Sequence, residues 1–125
     1  ILRGGKSPNY DKESVKNCEE KLHKAGHEQN IMIDCSHGNS QKDPAKQLLV
    51  LKEVAEQIKQ GNQSIIGVML ESNLKEGNQA IPDDLDEIRP GISVTDACIS
   101  WATTEAALRE FATTVSQALK SRNDS

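Results

Sequence analysis

The chain has 125 residues, enough for one domain of ordinary size, and carries 15 Lys and Arg against 19 Asp and Glu. The formal net charge of −4 argues against general binding of nucleic acids or anionic membranes, because phosphate-rich partners select basic surfaces. Aromatic residues make up 2%, so stacking on bases cannot be a main activity, and no apolar run approaches the roughly 20 residues that span a bilayer. We therefore expect neither a nucleic acid nor a membrane as a partner.

The opening segment, Ile1–Gly5, has the pattern of a strand end that runs into a glycine turn. No initiator Met precedes it, which indicates a piece of a longer polypeptide. Two further apolar runs follow, Ile31–Cys35 and Ile65–Leu70. Because such runs are typical of parallel strands covered on both faces, we predict three parallel strands.

Two helices are predicted between these strands from the residues at their ends. Asp11 is a natural N-cap for the first helix, which ends at Gly26, since glycine adopts the left-handed conformation that follows many helices. The second begins at Asp43-Pro44, because the carboxylate caps free N–H groups and proline fits the first turn. It ends near Gly61.

A third helix is predicted after a long loop, residues 72–95, and it opens at Thr103 or Thr104. Its buried face is predicted from apolar residues spaced three or four apart, which are Leu108, Phe111, Val115 and Leu119. The tail, residues 122–125, is predicted to fray.

The alternation of strands and helices predicts an α/β fold with βα units and a parallel sheet. Such units occur in doubly wound sheets and in barrels. Three units are too few to close a (β/α)8 TIM barrel, which takes about 250 residues. If the fold is a barrel, this chain supplies only about the last three of its eight βα units. We therefore expect residues 1–125 to be the C-terminal part of a single barrel domain.

Three cysteines, Cys18, Cys35 and Cys98, form no CxxC pair. An odd number of cysteines without a secretory segment predicts free thiols in a reducing compartment, here the cytoplasm. Cys35, at the end of a predicted strand, and Cys98, after the long loop, lie near the edge where the strands end. A small buried hydrophobe is the favoured role for both, and the alternative is a thiol whose oxidation affects activity.

Polar side chains gather where the predicted strands end: Arg3, His37, Glu71 and, after the long loop, Asp96. The carboxyl ends of parallel strands share one edge, so we expect these residues to converge there. One imidazole and two carboxylates suit a divalent Mn, Fe, Co or Zn ion. Spacing alone leaves the alternative open that His37 is hydrogen-bonded to backbone and the two acids are caps or solvated charges, since no compact motif such as HExxH is present.

Arg3 stands beside Gly4-Gly5, a setting that suits a phosphate, because a guanidinium matches phosphate oxygens and glycines let backbone N–H groups approach. The alternative is a surface arginine before a turn.

Four blocks of this sequence, in the same order, closely resemble class I 3-deoxy-D-arabino-heptulosonate 7-phosphate (DAHP) synthases. The blocks are residues 2–10 (LRGGK and PNY), 32–40 (MIDCSHGNS), 67–79 (GVMLESN and EGNQ) and 93–101 (SVTDACISW). The resemblance covers only the C-terminal third or so of such an enzyme. Pro90, where relatives often carry an aromatic residue, and Ala102, where an acid is common, depart from the pattern.

The resemblance implies a (β/α)8 barrel and a metal-dependent aldol-type condensation of phosphoenolpyruvate with erythrose 4-phosphate. It implies that His37, Glu71 and Asp96 bind the metal and that Arg3 binds the phosphoenolpyruvate phosphate. A second, catalytic role of His37 in proton movement near the metal is a separate hypothesis, since a nitrogen that holds a metal cannot act as a base. The family's fourth metal ligand, a cysteine thiolate, lies before the position of Ile1. We therefore expect a cytoplasmic transferase, homo-oligomeric at full length, whose isolated 125-residue segment is inactive.

The alternative from another functional class is a non-catalytic α/β interaction module that keeps a barrel-like surface for protein contacts.

Overall fold

The structure is a computed structural model and describes residues 1–124. Within these residues the chain forms four α-helices and four strands. The helices are α1 (Lys12–Lys24), α2 (His37–Ser40), α3 (Gln47–Lys59) and α4 (Trp101–Asn123). The strands are β1 (Ile31–Asp34), β2 (Ile65–Met69), β3 (Ser72–Asn73) and β4 (Ile99–Ser100). Their order along the chain is α1, β1, α2, α3, β2, β3, β4, α4, and the last two strands are short. Residues 1–124 contain no helix that is long and apolar enough to cross a membrane.

The main sheet is parallel, with β1 in its middle. On one edge, the N–H of Ile31 donates to the carbonyl of Ser64 at the start of β2, and the two strands run in parallel register. On the other edge, Leu2 donates to the carbonyl of Met32 and accepts from the N–H of Asp34, both at 2.9 Å. The predicted α/β class is confirmed, and so is the strand end in the opening segment. β3 and β4 form a second parallel pair.

The core lies between one face of this sheet and the helices. Ile31 and Ile33 of β1 are buried in this core. Helices α3 and α4, which cover it, also pack against each other. Met32, between these two isoleucines, is 38% exposed, so the opposite face of β1 is open within residues 1–124. Residues from every long helix reach the core, among them Val15, Val50, Val54 and Val115.

The ends of α1 and α3 follow the predicted signals. Asp11 caps α1, with Oδ2 accepting from the N–H of Ser14 at 3.1 Å, and Gly26 adopts a φ of +76° after the helix. Asp43 caps a short 3₁₀ turn, residues 44–46, that leads directly into α3. Gly61, after α3, has a φ of +111°.

The last helix differs from its prediction in its start and in its buried face. α4 begins at Trp101, because Ser100 is its N-cap and accepts from the N–H of Thr103 at 3.2 Å. Leu108 and Leu119 are each 40% exposed, so their predicted burial is wrong. The face of α4 that packs inward is shifted by about one residue from the predicted face. It includes small side chains such as Ala107, which let α4 approach α3. Its members are Thr104, Ala107, Phe111, Val115 and Ala118.

The predicted fraying of the tail is also wrong up to Asn123, where α4 ends. The guanidinium of Arg122 donates to the backbone carbonyls of Ile65 and Asn62, which ties the end of the helix to the start of β2. Ser125, the last residue of the predicted tail, lies outside the described residues.

The long loop is held by its own polar groups. The Gln79 carboxamide accepts from the N–H of Arg89 at 3.1 Å and donates to the carbonyls of Arg89 and Ile92. Gly77 and Cys98 exchange backbone hydrogen bonds at the base of the loop. The loop therefore returns residues 93–98 to the edge where β2 ends.

Candidate metal centre

His37 is the first residue of α2, two residues separate it from the end of β1, and its backbone is strained. Its φ of +49° lies in the left-handed region, which costs a non-glycine residue on the order of 1–3 kcal/mol. Nδ1 lies 2.9 Å from Oδ2 of Asp34, which is buried. An ionised carboxylate only accepts hydrogen bonds, so this contact places a proton on Nδ1 and leaves Nε2 facing the site.

Glu71 follows β2 and meets this histidine. Its Oε1 lies 3.3 Å from Nε2 of His37. Its Oε2 accepts a hydrogen bond of 2.9 Å from the hydroxyl of Ser36, the residue before the histidine. Both carboxylate oxygens are thus oriented by the segment that follows β1.

Asp96 arrives from the long loop, and its Oδ2 lies 3.8 Å from Nε2 of His37. One ligand atom from each of His37, Glu71 and Asp96 lies within 4.8 Å of the others. The structure therefore brings together three of the four side chains that were expected to converge, although they are spread over 60 positions of the chain, and it leaves the Arg3 side chain outside the group. The Asp96 side chain is 66% exposed, so the cluster opens to solvent on that side.

The donor set fits a divalent transition-metal ion. One imidazole nitrogen and carboxylate oxygens are the ligands that Mn, Fe, Co and Zn accept in proteins. The Nδ1 contact of His37 with Asp34 is the outer hydrogen bond that metal-binding histidines commonly make. Three protein side chains leave room for a further ligand.

The backbone of Arg3, rather than its side chain, contacts the segment that carries His37. Its carbonyl accepts from the N–H of Asn39 at 3.2 Å, and a Cβ on Gly4 would lie 2.5 Å from the carbonyl carbon of Gly38. The turn that carries Arg3 is thus pressed against α2, one residue from His37. Its side chain is exposed, and within residues 1–124 no hydrogen bond or ion pair joins its guanidinium to the cluster.

Two buried polar residues that support the site were missed by the sequence analysis. The side chain of Asn39 donates to the carbonyls of Leu2 and Asp34 and so joins the opening strand to β1. The side chain of Gln47, fully buried in the first turn of α3, bonds to the backbone of Glu71. Their signal was weak, because Asn39 stands in a polar segment, Gln47 stands in an otherwise apolar helical stripe, and neither setting shows which partner the side chain meets.

The cysteines near the site are buried thiols. Burial, together with the charge of Asp34, raises the pKa of Cys35 to about 12, and burial raises the pKa of Cys98. Cys18 packs against the core. All three are free, as predicted, and both Cys35 and Cys98 have the buried position that was favoured for them.

Comparison with known families decides what kind of protein this is. The model of the DAHP synthetase I family matches residues 1–109, most of the chain. The chain belongs to this family. The four sequence blocks and the three clustered side chains all lie inside the matched residues.

Individual DAHP synthetase I relatives are about half identical to the chain. A Tyr-sensitive phospho-2-dehydro-3-deoxyheptonate aldolase from Escherichia coli K12 is 54% identical over 111 residues, covering 89% of this chain and 31% of the relative. A phenylalanine-inhibited one from Saccharomyces cerevisiae is 50% identical over 119 residues, covering 90% of this chain and 32% of the relative.

The structural comparison agrees. The structure of phospho-2-dehydro-3-deoxyheptonate aldolase from Francisella tularensis SCHU S4 superimposes with a TM-score of 0.85 at 48% identity, covering 91% of this chain and 33% of that one. The chain thus spans about a third of the length of these relatives.

Proposed function

We propose that this chain is the C-terminal part of a 3-deoxy-7-phosphoheptulonate synthase, a transferase that condenses phosphoenolpyruvate with erythrose 4-phosphate and releases phosphate, the first step of the shikimate pathway to aromatic amino acids. Its βα units are then about the last three of a (β/α)8 barrel. The observation that carries the proposal is the meeting of His37, Glu71 and Asp96 beyond the carboxyl ends of parallel strands, within the family match. We further propose a cytoplasmic homo-oligomer for the full-length protein.

In this proposal His37, Glu71 and Asp96 hold a divalent Mn, Fe, Co or Zn ion. A bound ion of this kind supplies Lewis-acid polarisation of a carbonyl oxygen, here the aldehyde of erythrose 4-phosphate. Asp34 keeps the proton of His37 on Nδ1, so that Nε2 is available as a ligand. Because both ring nitrogens are then engaged, we assign the catalytic contribution of His37 to holding the ion.

Arg3 is proposed to bind the phosphate of phosphoenolpyruvate. Its exposed guanidinium stands on a turn that is fixed against α2, and a guanidinium can pair with two phosphate oxygens at once. Two phosphorylated substrates repel each other, so cationic groups are needed to bring them together. Arg3 supplies one such group within this chain.

A chimera tests the proposed function. The matched 111 residues of the Escherichia coli relative are replaced by the corresponding residues of this chain, and phosphate release from the two substrates is measured with added Mn²⁺. We expect the chimera to be active and the isolated chain to be inactive. Glu71→Gln in the chimera should abolish turnover, whereas Glu56→Gln, on an exposed position of α3, should leave it unchanged.

A folded chimera without activity contradicts the proposal and favours the non-catalytic interaction module. Activity of the isolated chain comparable to that of the chimera contradicts the expected inactivity of the segment.

A further inference from the structure

Gln47 is a fully buried polar residue whose side chain makes two hydrogen bonds to the backbone of Glu71, 24 positions later in the chain. Its carboxamide oxygen accepts a hydrogen bond of 2.8 Å from the N–H of Glu71. Its carboxamide nitrogen donates to the carbonyl oxygen of Glu71 at 3.1 Å. The backbone N–H and the backbone carbonyl of Glu71 are therefore both bonded to the Gln47 side chain, which is 0% exposed.

Glu71 needs such a partner because of where it lies. It stands between the end of β2 at Met69 and the start of β3 at Ser72, where the chain passes from one strand pair to the other. Its carbonyl also accepts from the N–H of Ile99 at 3.1 Å. Its N–H has the Gln47 oxygen as its acceptor, and a buried N–H without an acceptor is strongly disfavoured.

The direction of the Glu71 side chain follows from this backbone. Oε1 lies 3.3 Å from Nε2 of His37, so a modest rotation of the peptide at Glu71 would move the carboxylate out of the cluster. Ser36 holds only Oε2, at the far end of a flexible side chain. Where this side chain starts is fixed by the backbone contacts of Glu71, and Gln47 makes two of them, including the one to its N–H.

We propose that Gln47 is a positioning residue, which clamps the backbone of Glu71 and thereby sets its carboxylate against His37 in the cation site. The inference rests on the proposed function, since it takes Glu71 as a ligand of the ion. The carboxamide of Gln47 bonds to the Glu71 backbone and not to the ligand atoms of the cluster, so its role is indirect. It links the first turn of α3 to the geometry of the centre across 24 positions of sequence.

The same helix provides a matched control. Gln57 is also buried, with 3% exposure, and its carboxamide nitrogen donates to the backbone carbonyl of Tyr10 at 2.7 Å. Gln57 therefore resembles Gln47 in residue type, burial, helix and kind of contact. Its partner lies in the segment before α1, away from the cluster, so its loss should affect stability without moving Glu71.

The experiment uses the full-length chimera described under the proposed function, with this chain's own residues as wild type and with Gln47→Met and Gln57→Met as variants, because methionine keeps the length of the side chain and removes its hydrogen bonds. Co²⁺ affinity is measured by calorimetry and by the visible absorption of the bound ion. Amide exchange at Glu71 is measured by NMR without metal. We expect Gln47→Met to weaken Co²⁺ binding by about 10- to 100-fold and Gln57→Met to leave it within about 2-fold of wild type.

Metal-free exchange separates this inference from the proposed function. The Glu71 amide should exchange about 10-fold faster in Gln47→Met than in Gln57→Met, since only the former loses its acceptor. If the chimera with wild-type residues binds no Co²⁺, the proposed metal centre fails, and the exchange rate alone decides whether Gln47 holds Glu71. Equal exchange and equal affinity in the two variants would overturn the inference.

A second variant covers the case in which Gln47→Met does not fold. Gln47→Glu keeps an acceptor for the N–H of Glu71 and, when its carboxyl group is ionised, has no donor for the carbonyl of Glu71. We expect protected exchange at Glu71 together with weakened Co²⁺ binding in this variant, because one of the two clamp contacts remains. Wild-type affinity in a folded Gln47→Glu chimera would contradict the need for both contacts.

Discussion

Nδ1 of His37 lies 2.9 Å from Oδ2 of Asp34, a buried carboxylate three residues earlier whose Oδ1 accepts from the N–H of Ser36. Asp34 thus uses one oxygen to hold the ring and the other to hold the turn that follows β1. Asp34 therefore orients the imidazole ring of His37 and also fixes the backbone at Ser36, directly before it.

We therefore predict that Asp34→Asn weakens both folding and ion binding. An amide has a single acceptor atom, so it cannot accept from both the His37 ring and the Ser36 N–H. We expect a loss of about 1–3 kcal/mol in the free energy of unfolding and about 10- to 100-fold weaker Co²⁺ binding. Urea denaturation and calorimetry measure the two effects. Asp43→Asn is the control, since the hydrogen bond from the N–H of Ala45 uses one oxygen of Asp43 and asparagine caps helices as well as aspartate does.

Replacements of His37 should separate backbone strain from ion binding. Asparagine tolerates left-handed backbone and its amide nitrogen can donate to Asp34, whereas alanine does neither. We expect Co²⁺ binding to be lost in both His37→Asn and His37→Ala. The asparagine variant should be the more stable by about 1–3 kcal/mol in urea denaturation. Equal stability of the two variants would show that neither the φ of +49° nor the Asp34 contact matters to folding.

The contact between Gly4 and Gly38 predicts a large effect for a small change. At Gly4, φ is +76° and an added Cβ would lie 2.5 Å from the Gly38 backbone, which cannot move away as a flexible side chain can. We expect Gly4→Ala to cost about 2–4 kcal/mol in the free energy of unfolding. Gly5→Ala is the control, because nothing lies within 4 Å of its Cβ position and its φ is not positive. A Gly4→Ala variant as stable as Gly5→Ala would contradict the close packing of the two turns.

Asp11 should give the chain an acid-sensitive contribution to stability. Its hydrogen bond from the Ser14 hydroxyl, with further N–H donors of the first turn, lowers its pKa from the ordinary value of 3.8. A lowered pKa in the folded state means that the stabilisation is present above 3.8 and is lost as the pH falls through the folded value. Asp11→Ala should cost about 1 kcal/mol at neutral pH and less near pH 3. Urea denaturation from about pH 7 to about pH 3 measures this, and a pH-independent difference between wild type and variant would contradict it.

Much of the fold is predictable from short-range signals. Asp11, Gly26 and Asp43 act on residues next to them in the chain, and the structure places them at helix ends as predicted. The face of α4 was not predictable in this way, because positions three and four apart fit two adjacent stripes. Packing of small side chains such as Ala107 against α3 selects between the stripes, and that contact is not local.

The candidate site also has features that the sequence predicts and features that it does not. The convergence of His37, Glu71 and Asp96 follows from a general property of parallel sheets, whose carboxyl ends share one edge. The role of Gln47 does not follow from the sequence, because its partner is the backbone of Glu71 and a backbone group has no residue type to mark it. The strain at His37 is likewise visible only in the backbone angles.

The open face of the main sheet predicts that the isolated chain associates with itself. Ile66 in β2 is 63% exposed and Met32 in β1 is 38% exposed, so apolar strand surface faces water within residues 1–124. Such surface is a common site of association. We expect the wild-type chain to sediment as a species heavier than a monomer and Ile66→Lys to shift it toward the monomer. Ile81→Lys is the matched control, because Ile81 is 62% exposed but lies on the long loop. A monodisperse wild-type monomer, or an equal shift in the two lysine variants, would show that the sheet face does not drive association.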